Sequence, residues 1–158
     1  MLAGLTRTTA GRSVILIRLM VGLVFLSEGV QKLLFPSLGP ERFAAIGFPA
    51  PEVLAYFVAC LEIAAGSLVL LGLLTRPAAL LLAINISVAI LSTKIPLLLG
   101  HGYWCFGVQL LPRYGFWTMS HEARTDVAMW MGSVFLLIVR AGAWSVDALI
   151  TRTEAASR

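Results

Sequence analysis

The stretch VFLSEGVQKLLFP, from Val24 to Pro36, decides the fold of this chain because it places two charges inside an otherwise apolar helix. Glu28 and Lys32 are four residues apart, in the order that favours pairing on one helix face. A charged side chain within a bilayer costs several kcal/mol unless it faces protein or water. The stretch therefore predicts a membrane helix whose two charges face protein or a polar cavity.

The composition of the whole chain also indicates a membrane protein. The 158 residues are 59% hydrophobic and 13% charged, with a mean hydropathy of +0.90, beyond the usual range of soluble domains. Apolar runs at about 13–34, 52–74, 77–95 and 125–147 are each close to the ~20 residues that cross a ~30 Å hydrocarbon layer as a helix. We predict an all-α fold, an integral membrane four-helix bundle in one domain at 1–150, followed by a polar tail at 151–158.

Prolines and glycines mark the connections between these helices. The segment FPSLGPERFAAIGFPAP, at 35–51, cannot continue a helix, although Pro40–Ile46 within it predicts a short helix along the interface. The tight connection Thr75–Pro77 predicts that the second and third helices are antiparallel neighbours. Pro96 and Gly100 predict the end of the third helix.

An aromatic-rich segment from Leu97 to Arg124 separates the third and fourth predicted helices. Its aromatic density is typical of the headgroup level of a membrane. A structureless loop of this length is unusual, so we expect a packed lid or re-entrant segment, with Trp104, Trp117 and His121 as lid candidates. We expect the tail TRTEAASR, from Thr151, to be disordered.

The formal net charge of +4 comes from basic residues scattered singly at helix ends, without the basic stripe of a nucleic-acid-binding protein. We therefore exclude nucleic acid as a partner. Basic residues are slightly more frequent at the two termini and at the Thr75 turn, which predicts a multi-pass protein of the inner (plasma) membrane with both termini in the cytoplasm.

Small residues follow the same helix faces as the charges. Gly22 and Gly29 lie on the face of Lys32, and Ala59 and Gly66 lie on the face of Glu62. Such stripes predict that another helix can approach each of these helices closely.

Polar residues inside or near the spans are the candidates for ligand binding or proton handling. Glu62 lies near the middle of the second predicted span and Asn85 near the middle of the third, and the other candidates fall in the outer half of the bundle if the helices alternate in direction. The full set is Glu28, Lys32, Glu62, Asn85, Lys94, Arg124 and Asp126. Together they predict a polar cluster that opens toward the outer side.

Two interpretations of this cluster remain open. In the first, the charges only hold the helices together, through a Glu28 to Lys32 pair and a bond from Glu62 to Asn85 or a basic residue. In the second, the cluster binds a quinone, a proton or a small polar ligand. Arg18 and Arg140 lie toward the cytoplasmic ends of their spans, where we expect them to snorkel toward water.

Several chemistries are not favoured by the sequence. Cys60 and Cys105 lack a C-x-x-C arrangement, which argues against thiol–disulfide exchange. His101 and His121 lie outside the predicted helices, so they do not form the in-helix pair of a transmembrane haem, and with Glu122 they match no compact metal motif. We predict no metal and no intrinsic cofactor, and the sequence assigns no catalytic residue.

Several motifs resemble those of the DoxX family of four-helix membrane proteins. These motifs are RLMVGLVFLSEGVQKL from Arg18, GFPAP from Gly47, the in-span Glu62, LLGLLTR from Leu70, STKIP from Ser92, HEARTD from His121 and AWSVD from Ala143. The resemblance covers nearly the whole chain. The family name comes from the small subunit of a thiosulfate:quinone oxidoreductase, and other members are linked to thiol stress.

The resemblance implies a redox-associated membrane subunit that handles a quinone or another small ligand together with a partner oxidoreductase. It leaves open whether the chain itself is an enzyme, and a homo-oligomer is compatible with the sequence. Two alternatives also stay open: a membrane scaffold or assembly factor without catalytic activity, and a carrier of a small solute. A carrier is less favoured because no inverted repeat and no broken span is visible.

Overall fold

The computed structural model describes residues 11–156 of the chain, with side chains through residue 153. This part of the chain is all-α, as predicted. It forms six helices: α1 (Val14–Leu34), α2 (Pro40–Ile46), α3 (Pro51–Leu71), α4 (Thr75–Leu99), α5 (Phe116–Val139) and α6 (Val146–Ala156).

Three of the helices, α1, α3 and α4, are long and apolar enough to cross a membrane. They correspond to the apolar runs at 13–34, 52–74 and 77–95, and α4 ends at Leu99 with Gly100 in the left-handed region after it. Helix α5 is also long, with 24 residues, but its first half carries Glu122, Arg124 and Asp126, so it is not among the three.

The last apolar run, at 125–147, does not coincide with one helix. Helix α5 begins already at Phe116 and ends at Val139, because Arg140 and Gly142 adopt positive φ angles of 73° and 78° that a right-handed helix cannot contain. Helix α6 then starts at Val146. Of the aromatic segment predicted as a lid at 97–124, residues 97–99 therefore belong to α4 and 116–124 belong to α5, so that only 100–115 lie between helices.

Two connectors of equal length, residues 35–50 and 100–115, lie together at one end of the molecule. We call this the connector end. The first contains α2, which confirms the helix predicted at Pro40–Ile46. The backbone N–H of Gly107 donates to the carbonyl of Ile46 at 2.7 Å, and the rings of Phe48 and Phe106 are 5.1 Å apart. The aromatic cluster thus joins both connectors instead of belonging to one lid.

The long helices form two hairpins, because α1 packs most extensively on α3 and α4 packs most extensively on α5. In the first hairpin, glycines allow the backbones to approach closely, as predicted. A Cβ atom on Gly29 would lie 2.7 Å from the carbonyl oxygen of Ala59, and one on Gly22 would lie 3.0 Å from that of Gly66. Hydrophobic side chains such as Phe25 and Leu82 fill the core between the helices.

At the opposite end, the α6 end, Arg18 joins the two hairpins. Its side chain is buried and donates to the carbonyls of Val69 and Leu70 in α3 and of Ala141 and Trp144 after α5. The prediction that Arg18 snorkels toward water is therefore wrong. Backbone carbonyls of the neighbouring segments supply the acceptors that water would otherwise provide.

Helix α6 is tied to the same end by its first turn. The buried carboxylate of Asp147 accepts hydrogen bonds from the backbone N–H groups of Leu74, at 2.9 Å, and Thr75, at 3.2 Å. It thereby caps the start of α4. The expectation of a disordered tail from Thr151 is wrong for 151–156, which complete α6, and residues 157–158 lie outside the described residues.

Candidate functional site

A cavity of about 440 Å³ lies between the two hairpins, toward the connector end. It is bordered by α1, α3, α4 and α5, and α2 covers it. Its polar lining consists of Glu28, Lys32, Arg42, Glu62, Asn85, Ser92, Thr93, Lys94, Thr125 and Asp126. Six of the seven residues predicted to handle a ligand or protons therefore line one cavity.

The centre of the polar lining is a chain of contacts around Glu62, which is 4% exposed. Lys32 Nζ lies 2.7 Å from one carboxylate oxygen of Glu62, and Asn85 Nδ2 donates to the other oxygen at 2.9 Å. Lys32 also lies 3.5 Å from Glu28, whose side chain is 52% exposed. The predicted Glu28–Lys32 pair and the predicted bond of Glu62 to Asn85 or a basic residue are both confirmed as contacts.

A second ion pair forms the opposite wall of the cavity. Lys94 Nζ in α4 lies 2.9 Å from a carboxylate oxygen of Asp126 in α5. Each hairpin thus carries a lysine near the end of its first helix and an acidic partner near the middle of its second helix. The hydrogen bond from Asn85 to Glu62 connects the two halves of the site.

The other predicted site residues lie elsewhere. Arg124 is exposed on α5, where its guanidinium lies 3.2 Å from His121 Nδ1. Trp104 is 89% exposed and Trp117 is 83% exposed. Neither these tryptophans nor His121 nor Arg124 belongs to the described residues that line the cavity.

The first connector provides the cover that the sequence placed in the second. Leu38, Phe43, Ile46 and Phe48 line the cavity at this end, together with the exposed Arg42. Sequence reasoning missed Arg42 because nothing in PERFAAI shows which surface the short helix covers. The only signal was the prediction of a helix at that position.

The charges of the lining balance. Lys32, Lys94 and Arg42 contribute three positive charges, whereas Glu28, Glu62 and Asp126 contribute three negative charges. Because the formal sum is zero, the cavity has no excess charge that would select an ion of either sign.

Apolar side chains make up the rest of the lining, with Phe25 and Met129 buried between the helices and Leu61 partly buried. A mostly apolar chamber with a few convergent polar groups is typical of sites for small organic ligands. Donors at Lys32, Lys94 and Asn85 can hydrogen-bond to carbonyl or hydroxyl oxygens of such a ligand.

Comparison with known proteins places this chain in a family. The family model described as DoxX matches residues 13–95, more than half of the chain. The chain belongs to the DoxX family. The matched region contains Glu28, Lys32, Glu62, Asn85 and Lys94, whereas Asp126 lies beyond it.

The sequence of this DoxX-family chain is similar to those of two known proteins. It is 49% identical to "Uncharacterized membrane protein Rv3486" of Mycobacterium tuberculosis (strain ATCC 25618 / H37Rv) over 145 residues. This aligned region covers 91% of this chain and 85% of the relative. It is 32% identical to "Putative oxidoreductase CatD" of Bacillus subtilis (strain 168) over 81 residues. That aligned region covers 51% of this chain and 59% of the relative. No solved structure matches the chain significantly. The chain is a multi-pass membrane protein, with the lipid bilayer as its surroundings.

Proposed function

We propose that this DoxX-family protein is a redox-associated membrane subunit that binds a quinone in the cavity between its hairpins and acts together with a partner oxidoreductase. The observation that carries this proposal is the cavity itself, whose lysines and carboxylates are paired and sum to zero charge around an apolar chamber. Its volume of about 440 Å³ lies within the ~300–1,000 Å³ of ligand pockets.

A quinone head group fits the chemistry of this lining. It is uncharged, it accepts hydrogen bonds at two carbonyl oxygens, and its ring is apolar. Lys32 with Asn85 on one wall and Lys94 on the other provide donors for the two oxygens, and Phe25 and Met129 provide contacts for the ring. The name of CatD supports the redox class of the ligand.

Reduction of a bound quinone to the quinol requires two electrons and two protons. In our proposal the partner oxidoreductase supplies the electrons. Glu28, half-exposed at the cavity, and the buried Glu62 share the ammonium of Lys32. Each proton comes from water at the exposed Glu28, and these carboxylates are placed to relay it to the ligand.

The membrane arrangement is also part of the proposal. Helix α5 is the fourth span, because it packs along α4 over much of its length and its charged Asp126 faces the cavity instead of lipid. Both termini then lie on the cytoplasmic side of the inner membrane, and the connectors lie on the outer side.

A scaffold is the second candidate, and the surface of the connector end favours it. Trp104, Leu110 and Trp117 are each more than four-fifths exposed there, as expected of a surface that docks a partner. In this case the ion pairs only hold the helices together. The cavity then has no ligand.

Binding of a water-soluble, short-chain ubiquinone to the full chain in nanodiscs tests the proposal. We expect Glu62→Gln to weaken binding by about tenfold, which corresponds to ~1.4 kcal/mol, because the variant keeps the size of the side chain but loses the negative charge that lies 2.7 Å from Lys32. The thermal midpoint should change little. The matched control is Arg124→Gln on the exposed face of α5, which should bind like the wild type.

Three results would count against the proposal. The first is a wild-type chain that does not bind the quinone, and the second is unchanged binding in Glu62→Gln. The third is a parallel loss of folding and binding in Glu62→Gln, which would make the ion pairs structural. Co-purification of a stoichiometric protein client without quinone would favour the scaffold.

A further inference from the structure

We propose that the cavity opens sideways into the hydrocarbon layer between α3 and α4, and that its ligand is a lipid with an uncharged, hydrogen-bonding head and a hydrocarbon tail. The inference rests on the proposed function, since it assigns the ligand class and the entry route of the same site. We call this opening the lateral portal and define it by Phe57, Leu81, Ile84 and Val88.

The portal residues belong to two surfaces at once. Phe57 is 61% exposed, Ile84 54%, Leu81 47% and Val88 43%, yet all four line the cavity. A residue that lines a cavity and also contributes to the outer surface of the molecule lies at its rim. The cavity therefore reaches the outer surface along this seam.

Helical spacing identifies that surface as the one that faces lipid. Leu81, Ile84, Val88 and Leu91 follow each other at three- and four-residue intervals on α4, and all are large, apolar and exposed. On α3, Phe57 lies one turn from Val53, which is also exposed. The rim thus coincides with the lipid-facing stripes of both helices.

The portal lies at hydrocarbon depth. At 1.5 Å per residue, Phe57 is roughly 9 Å along α3 from its start at the connector end, and Val88 is roughly 17 Å from the same end of α4. Both values fall inside a ~30 Å hydrocarbon layer. A ligand that passes them comes from the membrane.

The seam between the hairpins is closed at its two ends. Arg18 joins the hairpins at the α6 end, and Gly107 bonds to Ile46 at the connector end. Between these ends, the hydrogen bond from Asn85 to Glu62 links α3 to α4 behind the portal. The polar head of a ligand would meet this bond, while its tail remained between Phe57 and Ile84.

The balanced charge of the lining favours a lipid with an uncharged head over a phospholipid. A phospholipid would bring a phosphate into a cavity with no excess positive charge, because each lysine already has an acidic partner. An uncharged head needs no counter-ion. We therefore assign the cavity to a neutral lipid of the membrane-quinone kind.

A block of the portal tests this inference. In nanodiscs we would compare Ile84→Trp with Leu91→Trp, which places the same bulk on the same lipid-facing stripe but outside the cavity lining. The probes are a long-tail ubiquinone supplied in the bilayer and a head-only ubiquinone supplied in water. We expect Ile84→Trp to slow association of the long-tail probe at least tenfold relative to Leu91→Trp and to slow association of the head-only probe by less, whereas Leu91→Trp should bind both probes like the wild type.

A second measurement does not depend on quinone binding. A phosphatidylcholine with a diazirine near the end of its acyl chain, incorporated in the same nanodiscs, reports where hydrocarbon chains reach. We expect photolabel on Phe25, which lines the cavity and is buried, as well as on Leu91, and loss of the Phe25 label alone in Ile84→Trp.

The two measurements separate the possible failures. Equal association of the long-tail probe in both tryptophan variants, or photolabel on Leu91 without Phe25, would overturn the portal even if head-only quinone binds. Photolabel on Phe25 without binding of either quinone would support the portal and refute the quinone function.

Discussion

Arg18 illustrates how a single charge can be accommodated inside this membrane protein. Its guanidinium has several N–H donors in one plane, and four backbone carbonyls from α3 and from the segment after α5 accept from it. Carbonyls near the C-terminal end of a helix also carry the negative pole of the helix dipole. The environment is therefore negative on several sides without an acidic side chain in direct contact.

Replacement of this residue should be costly. We expect Arg18→Met to lower the free energy of unfolding by about 3 kcal/mol or more, because it leaves buried carbonyls without donors, and the thermal midpoint in detergent should fall by on the order of 10 °C. The matched control is Arg12→Met. Arg12 is exposed and lies over the ring of Trp144 at 5.4 Å, a contact of about 0.5–1 kcal/mol. Equal midpoints for the two variants would contradict the role of Arg18 in joining the two hairpins.

The contacts of Lys32 show which interactions could be predicted from the sequence. The Glu28–Lys32 pair follows from the geometry of one helix, so four-residue spacing was sufficient. The shorter contact, from Lys32 to Glu62, crosses between helices. Periodicity indicates which face a residue occupies but not which helix packs against that face, so the partner of Glu62 stayed open, and Arg18 was wrongly assigned to water.

At the scale of the helices, the contact between α1 and α3 positions the Lys32–Glu62 pair. Gly29 lies one turn before Lys32, against the backbone of Ala59, which lies one turn before Glu62. A larger residue at Gly29 would push the helices apart where the ion pair forms. Close packing at this point is thus a condition for the site.

Two alanine substitutions test this role. In Gly29→Ala the new Cβ would lie 2.7 Å from a backbone oxygen, whereas in Gly22→Ala its closest neighbour, at 2.5 Å, is the side chain of Leu70, which can move. We expect Gly29→Ala to destabilise the protein by about 1–3 kcal/mol and Gly22→Ala by less, as measured by thermal unfolding in detergent. Short-chain quinone binding should weaken in Gly29→Ala. The reverse order of stability would show that α1 and α3 shift more easily than this packing implies.

The fourth long helix shows why element boundaries were harder to predict. The apolar run that predicted this helix begins at 125, but α5 begins at Phe116 and contains the polar run SHEARTD, in which Asp126 pairs with Lys94 and Arg124 lies beside His121. Its charges have protein partners or face outward, so they do not interrupt the helix. Similarly, the helix ends at Val139 because of left-handed backbone at Arg140 and Gly142, which hydropathy does not reveal.

At the scale of the whole molecule, two hairpins with the same order of elements enclose the site. Each runs from helix to connector to helix, and each places its lysine toward the connector end. The sequence predicted the long apolar helices and most of the polar lining. It did not predict that the first connector covers the cavity, because that depends on contacts between two loops that are far apart in sequence, such as Phe48 with Phe106.

Thiol labelling tests which end of the molecule faces the outside of the cell. If both termini are cytoplasmic, the connector end faces outward, because α1 and α4 run toward it and α3 and α5 run away from it. In a Cys60→Ser, Cys105→Ser background, we expect Ser37→Cys, exposed in the first connector, to react with a membrane-impermeant maleimide on intact cells. Thr153→Cys, exposed in α6, should react only after permeabilisation. The opposite pattern would show that the connector end faces the cytoplasm. Glu28 and Glu62 would then receive their protons from the cytoplasm. Labelling of both sites on intact cells would place the two ends on the same side and exclude α5 as a fourth span.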